Sequence, residues 1–190
     1  MTRRGAFALA AVAILTLALP AASFSGKAPR LGRPPAHCPG QAPLTKSQPP
    51  APWPRLLGAD PLWIGVYAHI NLIHARMTVH QDRYYHRKKH GWPIKFLWVT
   101  SRDQMSPITA TIRRLATGRP VWMHIGGIYN YFTRAPVFDP ARPGHPDDPS
   151  KPNTHEWGSL VFFPRAGCYS FQAVWPGGGE AFVFSFGRRR

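Results

Sequence analysis

Proline occupies 22 of the 190 positions, and that density constrains the fold more than any other feature. Inside a helix a proline removes a hydrogen bond and clashes with the preceding turn; inside a sheet it removes a ladder bond. This argues against a helical bundle and for short elements separated by turns. Apolar residues make up 44% of the sequence, enough for a packed core, which rules out a fully disordered chain. The length suits one domain with some chain to spare.

The first segment reads as an address. Arg3 and Arg4 precede an apolar stretch from Ala6 to Leu19, followed by Pro20, Ala21, Ala22 and Ser23. A basic start, a short apolar run and a small-residue site are the parts of a secretory signal peptide, here 1–23 with cleavage near Ser23. The run is shorter than the roughly 20 residues of a membrane span, so the processed chain is not expected to be transmembrane. The expected location is secreted or extracytoplasmic. Lys and Arg number 24 against 8 acidic residues, a formal +16; losing Arg3 and Arg4 lowers the cations to 22 and leaves +14. Charge so one-sided points to an anionic partner. For an exported domain that partner is expected to be an anionic envelope polymer or a membrane surface rather than nucleic acid.

Residues 24–56 are rich in proline, glycine and small polar groups, as in PAHCPGQAP and SQPPAPWP. This composition predicts an extended, semi-rigid arm, a tether rather than a core element, although Cys38 would pin it to the domain. Residues 57–187 then show short apolar or alternating runs between turn formers, which predicts strands. The runs are 62–67, 94–99, 108–115, 121–125, 159–163, 168–175 and 181–186. In 108–115, Ile108, Ala110 and Ile112 share one face, and in the last run Phe182, Phe184 and Phe186 do. About seven such strands predict an all-β, antiparallel sandwich with long loops, and most of its tryptophans in the core. Two segments interrupt the pattern, the polar stretch His69 to Trp92 and the proline-rich stretch Tyr129 to Trp157; both read as loops. A basic tail, 188–190, ends the sequence. Cys38 and Cys168 are the only cysteines, and in an exported chain such a pair predicts a disulfide.

These features resemble an uncharacterised family of secreted bacterial domains. The matching residues are Cys38-Pro39, Gly58 to Trp63, Lys95 to Trp98, Arg113-Arg114-Leu115, Phe163 to Tyr169, and Phe182 to Phe186. Tyr169 stands where the family pattern has tryptophan, Ala116 where an acidic residue is common, and His69 to Trp92 is more basic and histidine-rich. The resemblance implies an immunoglobulin-like β-sandwich with a Cys38–Cys168 bridge and carries no assigned activity.

Three constellations bear on function. Arg83, Tyr84, Tyr85, His86, Arg87, Lys88, Lys89 and His90 combine cations with flat rings, and Arg76, Arg113, Arg114, Arg119 and Arg188 to Arg190 add to the charge. Cations attract phosphate or sulfate, and rings stack on sugars or bases. The first expectation is thus a non-enzymatic binding module that presents Arg83, Tyr84, Tyr85, Arg87, Lys88 and Lys89 to an anionic partner; the plain alternative is that the charge only keeps the domain soluble. Second, His80, His86 and His90 offer imidazoles for zinc or copper, although no motif of strong ligand spacing occurs. Third, the carboxylates are few and scattered, and neither a nucleophile elbow nor a phosphate loop is present. A hydrolase would need a site assembled only in space. No cofactor is called for.

Overall fold

Each of the seven expected runs contains a strand, with Tyr67, Leu115 and Val121 falling just outside, and no helix occurs among the described residues. The computed structural model describes residues 30–80, 88–127, 130–144, 150–151 and 153–189. The expected signal peptide, Arg83 to Arg87 of the basic cluster and Arg190 lie outside these residues.

The strands are β1 (Lys46–Ser47), β2 (Leu56–Ala59), β3 (Leu62–Val66), β4 (His69–Asn71), β5 (Arg76–Val79), β6 (Trp92–Ser101) and β7 (Ile108–Arg114). They continue as β8 (Trp122–Ile125), β9 (Tyr131–Thr133), β10 (Val137–Phe138), β11 (Thr154–Phe163), β12 (Gly167–Trp175) and β13 (Gly178–Arg188). Thirteen strands among the described residues correct the expected seven. The additional ones, β1, β2, β4, β5, β9 and β10, have two to four residues each. Such runs hold too few alternations to register as a pattern, and they form because longer neighbours offer them a ladder. Both segments read as loops therefore contain strands: β4 and β5 in the first, β9, β10 and the start of β11 in the second.

The strands form a seven-stranded sheet, ordered β1-β2-β3-β6-β11-β8-β9, and a six-stranded sheet, ordered β10-β7-β12-β13-β5-β4. All pairings are antiparallel except β13 with β5, which is parallel and sets Ser185 beside Arg76 and Gly187 beside Thr78. The purely antiparallel expectation is corrected there. The edge of β13 away from β12 needs partners for its backbone groups, and β5 supplies them from a distant part of the chain, as a parallel pair requires.

The core lies between the sheets and follows the alternation. Ile108, Ala110 and Ile112 are fully buried, as are Phe184 and Phe186, while Phe182 packs against the core from a partly exposed position. Phe163 of β11 stacks on Phe186 of β13 at 4.1 Å and meets Tyr169 of β12 edge-on at 5.0 Å, so rings join the two sheets. Trp98 and Trp157 are fully buried, and Trp98 Nε1 donates to Ser159 Oγ at 2.8 Å, which satisfies the one polar atom of the ring. Tyr169 is also fully buried; its hydroxyl donates to the Arg165 carbonyl at 2.6 Å, and burial pushes its pKa up to about 12.

From Arg30 onward the arm is packed, which corrects its reading as a tether. Leu31 and Leu44 join the core, and Lys46–Ser47 pairs with β2. The arm crosses one end of the outer face of the six-stranded sheet. Arg188 N donates to Gly32 O at 2.8 Å, and Arg76 Nη2 donates to Ala36 O at 3.1 Å. A Cβ on Gly187 would lie 2.3 Å from Pro34 N, so only glycine lets the arm come this close to β13. The disulfide Cys38–Cys168, with Cα atoms 5.6 Å apart, fastens the arm to β12. Tyr169, Phe171 and Ala173 point inward, so by alternation Cys168 and the bridge lie on the outer face.

Candidate functional site

The opposite outer face, that of the seven-stranded sheet, is built from the residues that alternate with the core. In β11, Trp157, Ser159, Val161 and Phe163 turn inward, which sends Leu160 and Phe162 out. Register extends these positions across the sheet: Leu160 pairs with Lys95 of β6 and His124 of β8, and Phe162 pairs with Pro93 and Trp122. His124 in turn faces Phe132 of β9. Phe132 is 51% exposed, Tyr67 55% and Leu160 37%, values at which large apolar side chains remain available for contact.

Cations frame these rings. Arg134 Cζ lies 4.3 Å from the centre of the Trp122 ring, and Lys95 Nζ lies 5.0 Å from that of Tyr67. Phe132 contacts His124 at 4.7 Å and Phe162 at 5.8 Å, and His124 Nε2 is 2.7 Å from Asn130 Oδ1. Glycines shape the rest. Gly65 and Gly158 flank Leu97 in register and leave the sheet surface bare on either side of it. A hollow of about 290 Å³ is lined by Lys95, His124, Gly158 and Leu160, and one of about 410 Å³ by Trp53, Leu56, Gly65, Tyr67 and Leu97. Both fall within or just below the size of ordinary small-ligand sites, about 300–1,000 Å³.

The basic cluster meets this face at its described end. Lys88 N donates to Gly91 O at 2.7 Å, and Gly91 N to Lys88 O at 3.1 Å, closing a tight turn. The φ of 133° at Gly91 is open to glycine, and a Cβ there would strike Phe163 O. Lys88 and Lys89 are exposed, while the His90 ring packs against Trp122 at 5.1 Å, Phe132 at 5.4 Å and Phe162 at 6.0 Å. Arg83, Tyr84, Tyr85 and Arg87 lie outside the described residues, so the structure brings only Lys88 and Lys89 of the expected anion-binding set to the platform. The metal alternative is split: His80 is exposed just past β5, His86 is outside the described residues, and His90 is in the aromatic cluster. Among the described residues no group of three or more His, Cys, Asp or Glu side chains is placed to hold a metal ion. No helix among them is long and apolar enough to cross a membrane.

Reading the sequence passed over Phe132, Arg134, Lys95 and Leu160. Phe132 and Arg134 fall in or beside a three-residue strand inside a segment taken for a loop, and only register shows that they flank His124 and Trp122. Glu180 at the start of β13 is one of the scattered carboxylates, and only the fold shows its surroundings. This carboxyl sits against Gly58 of β2 and beside arm residues Gly40 to Thr45; its Oε2 is buried with no hydrogen-bond partner, and burial pushes its pKa up to about 7. No family model, no curated protein and no solved structure matches the chain.

Proposed function

We propose that the protein is an exported, non-enzymatic binding module whose cationic aromatic face, with the basic turn at its edge, engages an anionic polymer of the cell envelope. The observation that carries this reading is the packing of His90 into the Trp122–Phe132–Phe162 cluster. It ties Lys88 and Lys89 to a surface that offers exposed rings, two hollows and the additional cations Lys95 and Arg134. Rings and hollows give shape and apolar contact to sugar units, and the cations attract acidic groups. Export rests on the sequence of residues 1–23 and agrees with the Cys38–Cys168 disulfide. The fold is read as an elaborated immunoglobulin-like sandwich, in line with the resemblance noted in the sequence; the two packed sheets support it, and the bridge on an outer face is its main departure.

The test is titration of dextran sulfate and of uncharged dextran at several NaCl concentrations. Binding to dextran sulfate alone, weakening as salt rises, is expected. Phe132→Ala should weaken it about tenfold, the effect of losing one anchoring ring, with the salt dependence kept. Lys88→Ala/Lys89→Ala should flatten the salt dependence instead. Equal binding by the Phe132 variant, or binding to anionic vesicles but not to the polymer, would overturn the reading.

A further inference from the structure

A second cationic site lies away from the aromatic face, where the arm crosses the end of the six-stranded sheet. A hollow of about 380 Å³ is lined there by four arginines, Arg33, Arg76, Arg188 and Arg189, together with His69 and Asn71. Its construction follows from features already described. Gly187 admits Pro34 and so places Arg33 over the sheet. The parallel register of β5 with β13 carries Arg76 and Thr78 alongside Ser185 and Gly187, and the β4–β5 pairing adds His69 opposite Thr78 and Asn71 opposite Arg76. The backbone of the last strand is held on both sides, with Arg188 N on Gly32 O and Arg189 N on Val79 O, each at 2.8 Å.

Two facts show that these cations are not there for one another or for a carboxylate. None of the lining residues is acidic, and among the described residues none of the four guanidiniums makes an ion pair. Arg76 Nη2 is used by the Ala36 carbonyl, but its Nε is buried and has no hydrogen-bond partner among the described residues. A buried donor without a partner carries a desolvation cost, so this guanidinium is not fully satisfied by the chain around it. Like charges gathered at one wall repel, and an anion removes that repulsion.

We propose that this hollow binds a phosphate monoester. A dianionic phosphate offers three terminal oxygens and accepts from several guanidinium forks at once, which a single carboxylate cannot. The hollow is larger than a bare phosphate requires, which leaves room for the group that carries it. The same chemistry is offered by a soluble sugar phosphate and by the headgroup of phosphatidic acid.

Calorimetric titration of the purified protein with glucose 6-phosphate and with glucose, alongside flotation with vesicles of phosphatidylcholine with or without phosphatidic acid, tests the site. Glucose 6-phosphate or the phosphatidic acid vesicles should bind, and glucose and plain phosphatidylcholine should not. Arg189→Gln and Arg33→Gln, both at exposed positions, should each weaken binding about tenfold. Lys88→Ala/Lys89→Ala, on the other sheet, should leave it unchanged, which separates this site from the polymer-binding face. Binding to vesicles alone, with the same dependence on Arg33 and Arg189, sustains the site and identifies the ester as a headgroup. Failure of both ligands to bind, or binding indifferent to the arginine substitutions, would overturn it.

Discussion

The outer face of the six-stranded sheet is crossed by the chain's own N-terminal arm, whereas that of the seven-stranded sheet leaves Tyr67, Phe132 and Leu160 exposed. Both faces alternate with the same core, so the difference arises from what each strand places outward. Under the arm, β5, β12 and β13 present the small groups Thr78, Cys168, Ser185 and Gly187, with the arm bonded to Cys168 and its Ala36 carbonyl held by Arg76 of β5. β8, β9 and β11 present Trp122, His124, Phe132, Leu160 and Phe162, large groups with no segment of the described chain holding Phe132 or Leu160 out of water. A covered face contributes to stability, and an apolar face left open is the kind of surface the proposed partner requires.

The largest effect should come from releasing the arm. Cys38→Ser/Cys168→Ser opens a bridge spanning 130 residues of sequence and should cost about 2–5 kcal/mol by calorimetry. Hydrogen exchange should then quicken at the Arg188 amide, whose acceptor is Gly32 O. Gly187→Val should cost about 1–3 kcal/mol, because the new side chain meets the backbone at Arg33 and Pro34 and must push the arm away. Undisturbed stability in either variant would break the distinction between the two faces at its stronger side.

Glu180 gives a smaller effect with a definite sign. Its carboxyl pKa is raised by burial from the ordinary 4.5 to about 7, so the folded state favours the neutral form. The stability this gives is complete below about pH 4.5 and is lost as pH rises through about 7. Glu180→Gln, which cannot ionise, should match the parent near pH 5 in thermal melts and exceed it at pH 8. The smallest effect belongs to the open face: Phe132→Ala should change stability by less than about 0.5 kcal/mol, because its side chain is more exposed than buried.

How much of this could be read from the sequence differs in the same way between the regions. The long strands were legible because their alternation runs over many residues: Ile108, Ala110 and Ile112, or Phe184 and Phe186, announce an inward face. The disulfide was legible from the count of two cysteines. The packing of the arm is not legible beyond the Cys38 anchor, because prolines describe its backbone but not its contacts; nothing local shows that Gly187, some 150 residues away, leaves room for Pro34. The aromatic platform was hidden for a related reason. Trp122, Phe132 and Phe162 come from three strands, and only pairing register makes them neighbours of His90. The basic cluster is legible as charge and rings in sequence, but its anchoring through His90 is not.

Hydroxyl-radical footprinting of the protein with saturating dextran sulfate tests the central claim most directly, because it reports which face the polymer covers. Protection is expected at Tyr67, Phe132 and Leu160, with oxidation of Val174 on the six-stranded sheet unchanged. Protection confined to the arm and the six-stranded sheet, with Phe132 still oxidised at its free rate, would contradict it.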